Sequence, residues 1–202
     1  DYRAVEDAVI CSVVPQVGDS VSRAISKLCN IVPLMIGPGV KTGLNIKIDN
    51  PAQLGADLVA GAVAAVAMYP LPCIVYDLGT ATTISVIDKN GNYIGGSISA
   101  GVGISLEALT SKTALLQSVE IEAPEKVIGS NTVDCIQSGL IYGCAAMLDG
   151  MTQRIENELG QTATLVATGG LAKEIVACCE KEIVFNKDLV LQGLLVIYKK
   201  NR

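Results

Sequence analysis

Cys73-Ile74-Val75-Tyr76-Asp77-Leu78-Gly79-Thr80-Ala81-Thr82-Thr83-Ile84-Ser85-Val86-Ile87 is the stretch on which the fold class turns. It reads as two short apolar strands, Cys73 to Tyr76 and Thr82 to Ile87, joined by the turn Asp77-Leu78-Gly79-Thr80-Ala81. A third strand, Tyr93 to Ile98, follows Lys89-Asn90-Gly91-Asn92, and Asn-Gly between apolar runs signals a hairpin because both residues tolerate positive φ. An antiparallel meander, and with it a second domain, is expected to begin near residue 71.

Upstream the pattern changes to strand, helix, strand. Ala8 to Val14 is a β-branched run ended by Pro15, Val17 to Leu28 has helical spacing, and Ile31 to Ile36 runs into Gly37-Pro38-Gly39. So compact a βαβ unit implies a parallel pair with a right-handed crossover. It starts with so little chain before it that it reads as the middle of a domain, so residues 1–70 are expected to be the remainder of a first domain. A loop from Gly37 to Pro51 leads to a helix over Ala52 to Tyr69. Leu58 to Tyr76 contains no charged residue and approaches the roughly 20 apolar residues that span a bilayer, but Pro70 and Pro72 divide it into a buried helix and a buried strand.

Downstream, five glycines (Gly91, Gly95, Gly96, Gly101, Gly103) carry the chain into a helix near Ser105 to Thr113. A long helix from Asn131 to Leu159 follows, then a strand at Leu165 to Ala167 ending in Thr168-Gly169-Gly170, a helix over Lys173 to Glu180, and an apolar final helix, Leu189 to Lys199, that must be buried against something. Strands interleaved with helices predict an α/β protein.

Composition agrees and excludes several functions. The 202 residues are 50% apolar and 17% charged, with a mean hydropathy of +0.46, which is the profile of a chain that folds. Aromatics make up only 3%, so Ala, Val, Ile and Leu must fill the core. A net charge of −5 opposes binding to nucleic acid. With no histidine, Ser-His-Asp and Cys-His nucleophilic sites and His-ligated metals are ruled out. The seven cysteines, an odd number without a C-x-x-C pair, read as reduced, buried thiols of a cytosolic protein. Asp1-Tyr2-Arg3 lacks the features of a secretion signal.

Three places carry candidate chemistry, each with a plain structural alternative. The Asp77 to Thr82 turn offers backbone N–H groups and hydroxyls to an anion, and it also suits an ordinary hairpin. Asp57, a carboxylate among apolar neighbours, suits a general base, and an Asp in a first helical turn is also favoured by the dipole. Thr168-Gly169-Gly170 lets a nucleotide approach backbone, or simply turns the chain. A phosphate turn, a base and a glycine platform together make the parts of a kinase.

Gly37-Pro38-Gly39-Val40-Lys41-Thr42-Gly43, Asp49-Asn50-Pro51 through Gly55-Ala56-Asp57, Asp77 to Thr83, Ile128-Gly129-Ser130-Asn131-Thr132, Gln137-Ser138-Gly139 and Ala167 to Ala172 resemble type III pantothenate kinase in order and spacing. The resemblance runs from Ala8 to Asn201. It implies the superfamily of acetate and sugar kinases, heat-shock chaperones and actin: two related actin-like (ribonuclease H-like) α/β domains, here 1–70 and 71–202, with a nucleotide cleft between them. The implied activity is ATP-dependent phosphorylation of pantothenate, the first step towards coenzyme A, by a cytoplasmic homodimer. Asp57 would be the base, with Gly55, Ala56, Leu58 and Thr132 lining the pantothenate site. Asp77 would hold a monovalent cation, K+ or NH4+; Gly79 and Thr80 would meet the phosphates of ATP, accompanied by Mg2+, and Gly169 and Gly170 the adenosine side.

Three departures stand out. Leu58 occupies the place of an arginine in the family's Gly-Ala-Asp-Arg, removing a cation suited to an anionic substrate; Lys41 is an alternative partner for the carboxylate. Ala100-Gly101 stands where the family has Pro-Gly. Residues 1–20 contain no match to the family's Asp-x-Gly-Asn-Thr phosphate turn, from which an amino-terminally incomplete first domain and an inactive isolated chain are expected. The competing readings are an impaired homologue acting as a nucleotide-binding regulator, and a kinase for another small hydroxylated substrate.

Overall fold

The computed structural model describes residues 4–112 and 118–202. Near the amino terminus, β1 (Val9–Ile10) and β2 (Leu34–Met35) pair in parallel with Val9 opposite Leu34, and α1 (Pro15–Cys29) crosses between them. Both strands are shorter than the apolar runs suggest. After Ile10, the Ser12 hydroxyl donates to the Val14 carbonyl and accepts from the Val14 N–H, so local bonds replace a ladder just before Pro15 starts the helix.

Most of the remaining chain builds one six-stranded sheet, ordered β3 (Asn45–Ile46), β6 (Asn92–Ala100), β5 (Ala81–Ile87), β4 (Cys73–Leu78), β7 (Thr164–Thr168) and β8 (Val184–Phe185). The expected meander is its centre: β4, β5 and β6 are antiparallel, and β7 runs parallel to β4. Asn90-Gly91 turns the hairpin, with Gly91 at φ +77° and the Asp88 carboxylate accepting from the Asn90 and Asn92 N–H groups. Two edge strands differ from expectation. Asn45–Ile46 lies in what reads as a loop and pairs with β6, and Val184–Phe185 pairs with β7. Both are two-residue pieces specified by their partners rather than by local pattern.

The helix expected over Ala52 to Tyr69 divides. Pro51–Gln53 is a 3-10 turn capped by the Asn50 side chain, Gly55 is extended (φ −58°, ψ 141°), and α2 spans Ala56–Met68. Pro70 and Pro72 then separate α2 from β4, and among the described residues no helix is long and apolar enough to cross a membrane. α3 (Val102–Lys112) starts three residues before the expected helix, whose last position, Thr113, lies outside the described residues. α4 (Thr132–Leu159) has the expected length, opened by the Asn131 side chain accepting from the Asp134 N–H and closed by Gly160 at φ +69°. α5 covers only Ala172–Val176, because Asp149 on α4 takes the N–H groups of Glu180 and Lys181 and draws the chain off the helix axis.

Strand alternation sorts the side chains onto two faces. Ile74, Tyr76, Leu78 and Ile84 pack with Ile141, Leu148 and their neighbours under α3, α4 and α5. Cys73, Val75 and Ile87 pack on the other side with Ala62, Ala65 and Leu189 of α2 and α6 (Leu189–Lys200). The final helix buries one face as expected, while Leu191 and Leu195 on its other side are exposed; it lies side by side with α2, so close that a Cβ on Gly193 would stand 1.8 Å from the Ala60 carbonyl oxygen. All seven cysteines are free, yet they are not uniformly buried: Cys73 and Cys144 are, while Cys135 is exposed. Burial pushes the thiols of Cys73 and Cys179 up to about 12.

Candidate active site

The period of two along β4 puts Asp77 on the same face as Cys73 and Val75, towards α2. Its cross-strand partner Thr83 and the next residue on that side, Ser85, face the same way from β5. The first turn of α2 brings Asp57 to this place. These side chains enclose a cavity of about 10 Å³, completed by Leu58, Gly61, Val75, Thr168 and Val190. Two carboxylates and three hydroxyls therefore converge on a space the size of one water or a small cation.

The electrostatics follow from that enclosure. Burial, and then the neighbouring Asp57 charge, hold the Asp77 carboxyl above the usual carboxylate range. Burial and the same Asp57 charge push Cys11 up to about 11. Asp57 Oδ1 accepts from the Leu58 N–H at 2.8 Å, while Oδ2 has no donor among the described residues. Gly55 leaves room for it, since a Cβ there would lie 2.5 Å from Asp57 Oδ1 and push the carboxylate aside.

The Gly79–Thr80 turn leaves the cavity at the carboxyl end of β4 and is solvent-exposed. It is clasped by two glycines. A Cβ on Gly101 would stand 2.2 Å from the Thr80 carbonyl oxygen, and one on Gly169 (φ +104°) would stand 2.6 Å from the Leu78 carbonyl carbon. Because β4 and β7 are parallel neighbours, with Asp77 opposite Thr168, their two glycine turns lie side by side at the carboxyl ends of the strands. That is where open α/β sheets receive ligands. The contact of Gly101 with the turn escaped the sequence reading, because nothing local links positions 80 and 101.

Asp57, Leu58, Asp77, Gly79, Thr80, Gly169 and Gly170 are thus gathered along one edge. A cleft of about 510 Å³ adjoins the small cavity through the shared walls Leu58 and Thr83, and is lined further by Asp49, Asn50, Gln53, Gly55 and Ser97. Its lining includes a carboxylate and no cation. Lys41 does not supply one: its N–H and C=O are both held by the Asn201 side chain, at 3.1 and 2.9 Å, beyond the far end of α6. There Lys200 packs near Ala67, ten residues along α2 from Asp57 and roughly 15 Å away at ~1.5 Å per residue. Thr132 is also elsewhere, lining a groove of about 710 Å³ with Asn131, Cys135, Ile136 and Leu109.

The chain is similar to known proteins over nearly its whole length. The family model described as type III pantothenate kinase matches residues 1–154. Type III pantothenate kinases of Halalkalibacterium halodurans and an Exiguobacterium species are 44% and 43% identical over 99% and 100% of this chain, covering 79% of each relative. The enzyme of that name from Dehalococcoides mccartyi is 41% identical over 96% of the chain and 75% of its own length. A crystal structure from Campylobacter jejuni, described as a candidate Baf family transcriptional activator, superposes with a TM-score of 0.67 at 19% identity, covering 99% of this chain and 86% of that one, and so shares the fold.

Proposed function

The chain belongs to the type III pantothenate kinase family, and on that premise we propose that the Asp57–Asp77 edge is its catalytic centre. The reaction is ATP-dependent phosphorylation of pantothenate in coenzyme A biosynthesis. The observation that carries the site assignment is the convergence of Asp57 and Asp77 on one water-sized cavity beside the paired glycine turns of β4 and β7.

Phosphoryl transfer needs alignment and charge stabilisation more than covalent chemistry. Pantothenate enters by the cleft and places its primary hydroxyl at Asp57. The hydroxyl oxygen attacks the γ-phosphorus of ATP, its proton passes to the Asp57 carboxylate, and the bond to the β,γ-bridging oxygen breaks to release ADP. Backbone N–H groups and the Thr80 hydroxyl at the Gly79–Thr80 turn meet the phosphates, and Gly169–Gly170, where Gly170 has open space around it, gives the nucleoside a surface. The all-oxygen set of Asp77, Asp57 and Thr168 suits a hard monovalent cation, whose charge would offset two facing carboxylates. Among the described residues no group of three or more His, Cys, Asp or Glu is placed to hold a metal, so Mg2+ is read as a companion of the ATP phosphates.

The reading extends to a cytoplasmic homodimer. Thr132 lines a groove apart from Asp57, flanked by the exposed Val127 and Ile128, so it meets pantothenate when a second copy presents it. The test is ADP release by the protein expressed from its full gene, with ATP, Mg2+ and K+, with and without pantothenate. Pantothenate-dependent release that disappears in Asp57→Asn, with ATP binding retained, is expected; release that persists in that variant removes Asp57 as the base.

A further inference from the structure

Thr83 stands in the wall between the cleft and the Asp57–Asp77 cavity and lines both. Its Oγ1 is sealed from solvent and has no hydrogen-bond partner among the described residues. Its neighbours on that face are settled differently, since the Ser85 hydroxyl pairs with the Tyr93 hydroxyl at 3.3 Å. Buried hydroxyls are nearly always partnered, and an orphan at the mouth of a reaction site calls for a ligand that completes it. Nothing in strand geometry demands threonine here: valine has the same branched shape and equal β-propensity, and would leave no polar group unsatisfied.

We infer that the Thr83 hydroxyl binds the acceptor hydroxyl of the substrate and holds it for Asp57. The inference rests on the pantothenate kinase reading. A χ1 step of about 120° carries Oγ1 to another staggered position on Cβ without moving the backbone, which brings the hydroxyl to a substrate in the cleft that the residue lines. Donating to one lone pair of the acceptor oxygen leaves its O–H for Asp57 and its second lone pair for the γ-phosphorus. Thr83 is placed for this by register, being the residue directly opposite Asp77.

The decisive experiment uses the protein expressed from its full gene and compares Thr83→Val and Thr83→Ser with the parent in pantothenate calorimetry, steady-state kinetics and thermal unfolding. Thr83→Val is expected to weaken pantothenate binding and lower kcat/KM for it about tenfold each, the effect of one lost hydrogen bond. The KM for ATP stays the same, and the unfolding midpoint of the substrate-free protein is unchanged or higher, because the variant removes an orphan group. Thr83→Ser restores both pantothenate readouts. Unchanged pantothenate binding in Thr83→Val overturns the inference, as does a Ser variant as impaired as the Val variant, or a Val variant that loses ATP affinity and thermal stability in step. Thr83-dependent binding of pantothenate without turnover in the parent would leave the contact standing and refute the kinase reading instead.

Discussion

Gly193→Ala tests whether the α2–α6 contact positions Asp57, the carboxylate we propose as the base. The added Cβ would lie 1.8 Å from the Ala60 carbonyl oxygen and 2.6 Å from its carbon, whereas ordinary contact begins near 3.4 Å. Backbone cannot swing aside as a side chain does, so the helices must separate by about 1.6 Å (3.4 − 1.8) at this crossing. Around it, Ala60 and Ile197 are fully buried, and Val63 and Leu194 nearly so, so the shift loosens a packed cluster. Overpacking of this kind costs about 3 kcal/mol, and replacing a helical glycine by alanine returns about 1 kcal/mol. The net loss of about 2 kcal/mol corresponds to a fall of roughly 4–8 °C in Tm for a chain of this length. Asp57 rides on α2 and Val190 on α6, both lining the small cavity, so pantothenate turnover should fall as well. Gly143→Ala is the control: Gly143 sits in α4 with nothing within 4 Å of an added Cβ, and the change should raise Tm by roughly 2–4 °C. Calorimetric unfolding of the two variants beside the parent decides the matter. A Gly193→Ala protein as stable and as active as the parent would refute the claim that the helix contact is that tight.

Two further outcomes follow from charge. Asp77 is held above its unfolded pKa by burial and by Asp57, so its contribution to stability is present below the unfolded pKa and is lost as pH rises through the raised folded value. Asp77→Asn should therefore unfold at a higher temperature than the parent at pH 7.5 in K+-free buffer, with the gap closing as pH falls through the carboxylate range; a less stable variant at pH 7.5 contradicts this. Leu58→Arg puts a guanidinium on a cleft lined by Asp49 and no cation, and should lower the KM for pantothenate about tenfold at low salt, with the gain shrinking as salt is added. A KM that does not change at low salt would place the substrate carboxylate elsewhere.

Much of the molecule was legible because its signals are local. Asn90-Gly91 turns a hairpin through its own dihedral preferences, Asn131 caps α4 with its own side chain, and Pro70 and Pro72 stop α2 wherever they stand. The candidate residues were legible too, as motif positions, although each had a plain alternative. The β3–β6 pair, by contrast, joins residues 45 and 92, and neither strand end announces the other. Lys41 looked available for an anionic substrate in the sequence, and Asn201 ties its backbone to the opposite end of the helix pair.

Sequence alone determined the types of the long elements and the antiparallel centre of the sheet, since periodicity and turn residues act over a few positions, and its motif stretches carried the resemblance to the kinase family. Only the tertiary structure decided that Asp57 and Asp77 share a cavity, that Gly101 and Gly169 clasp the turn after β4, and that Thr83 has no partner among the described residues. These depend on strand register and on the closeness of two helices. Such contacts link residues far apart in the chain, and their free energy exists only once the whole core has packed.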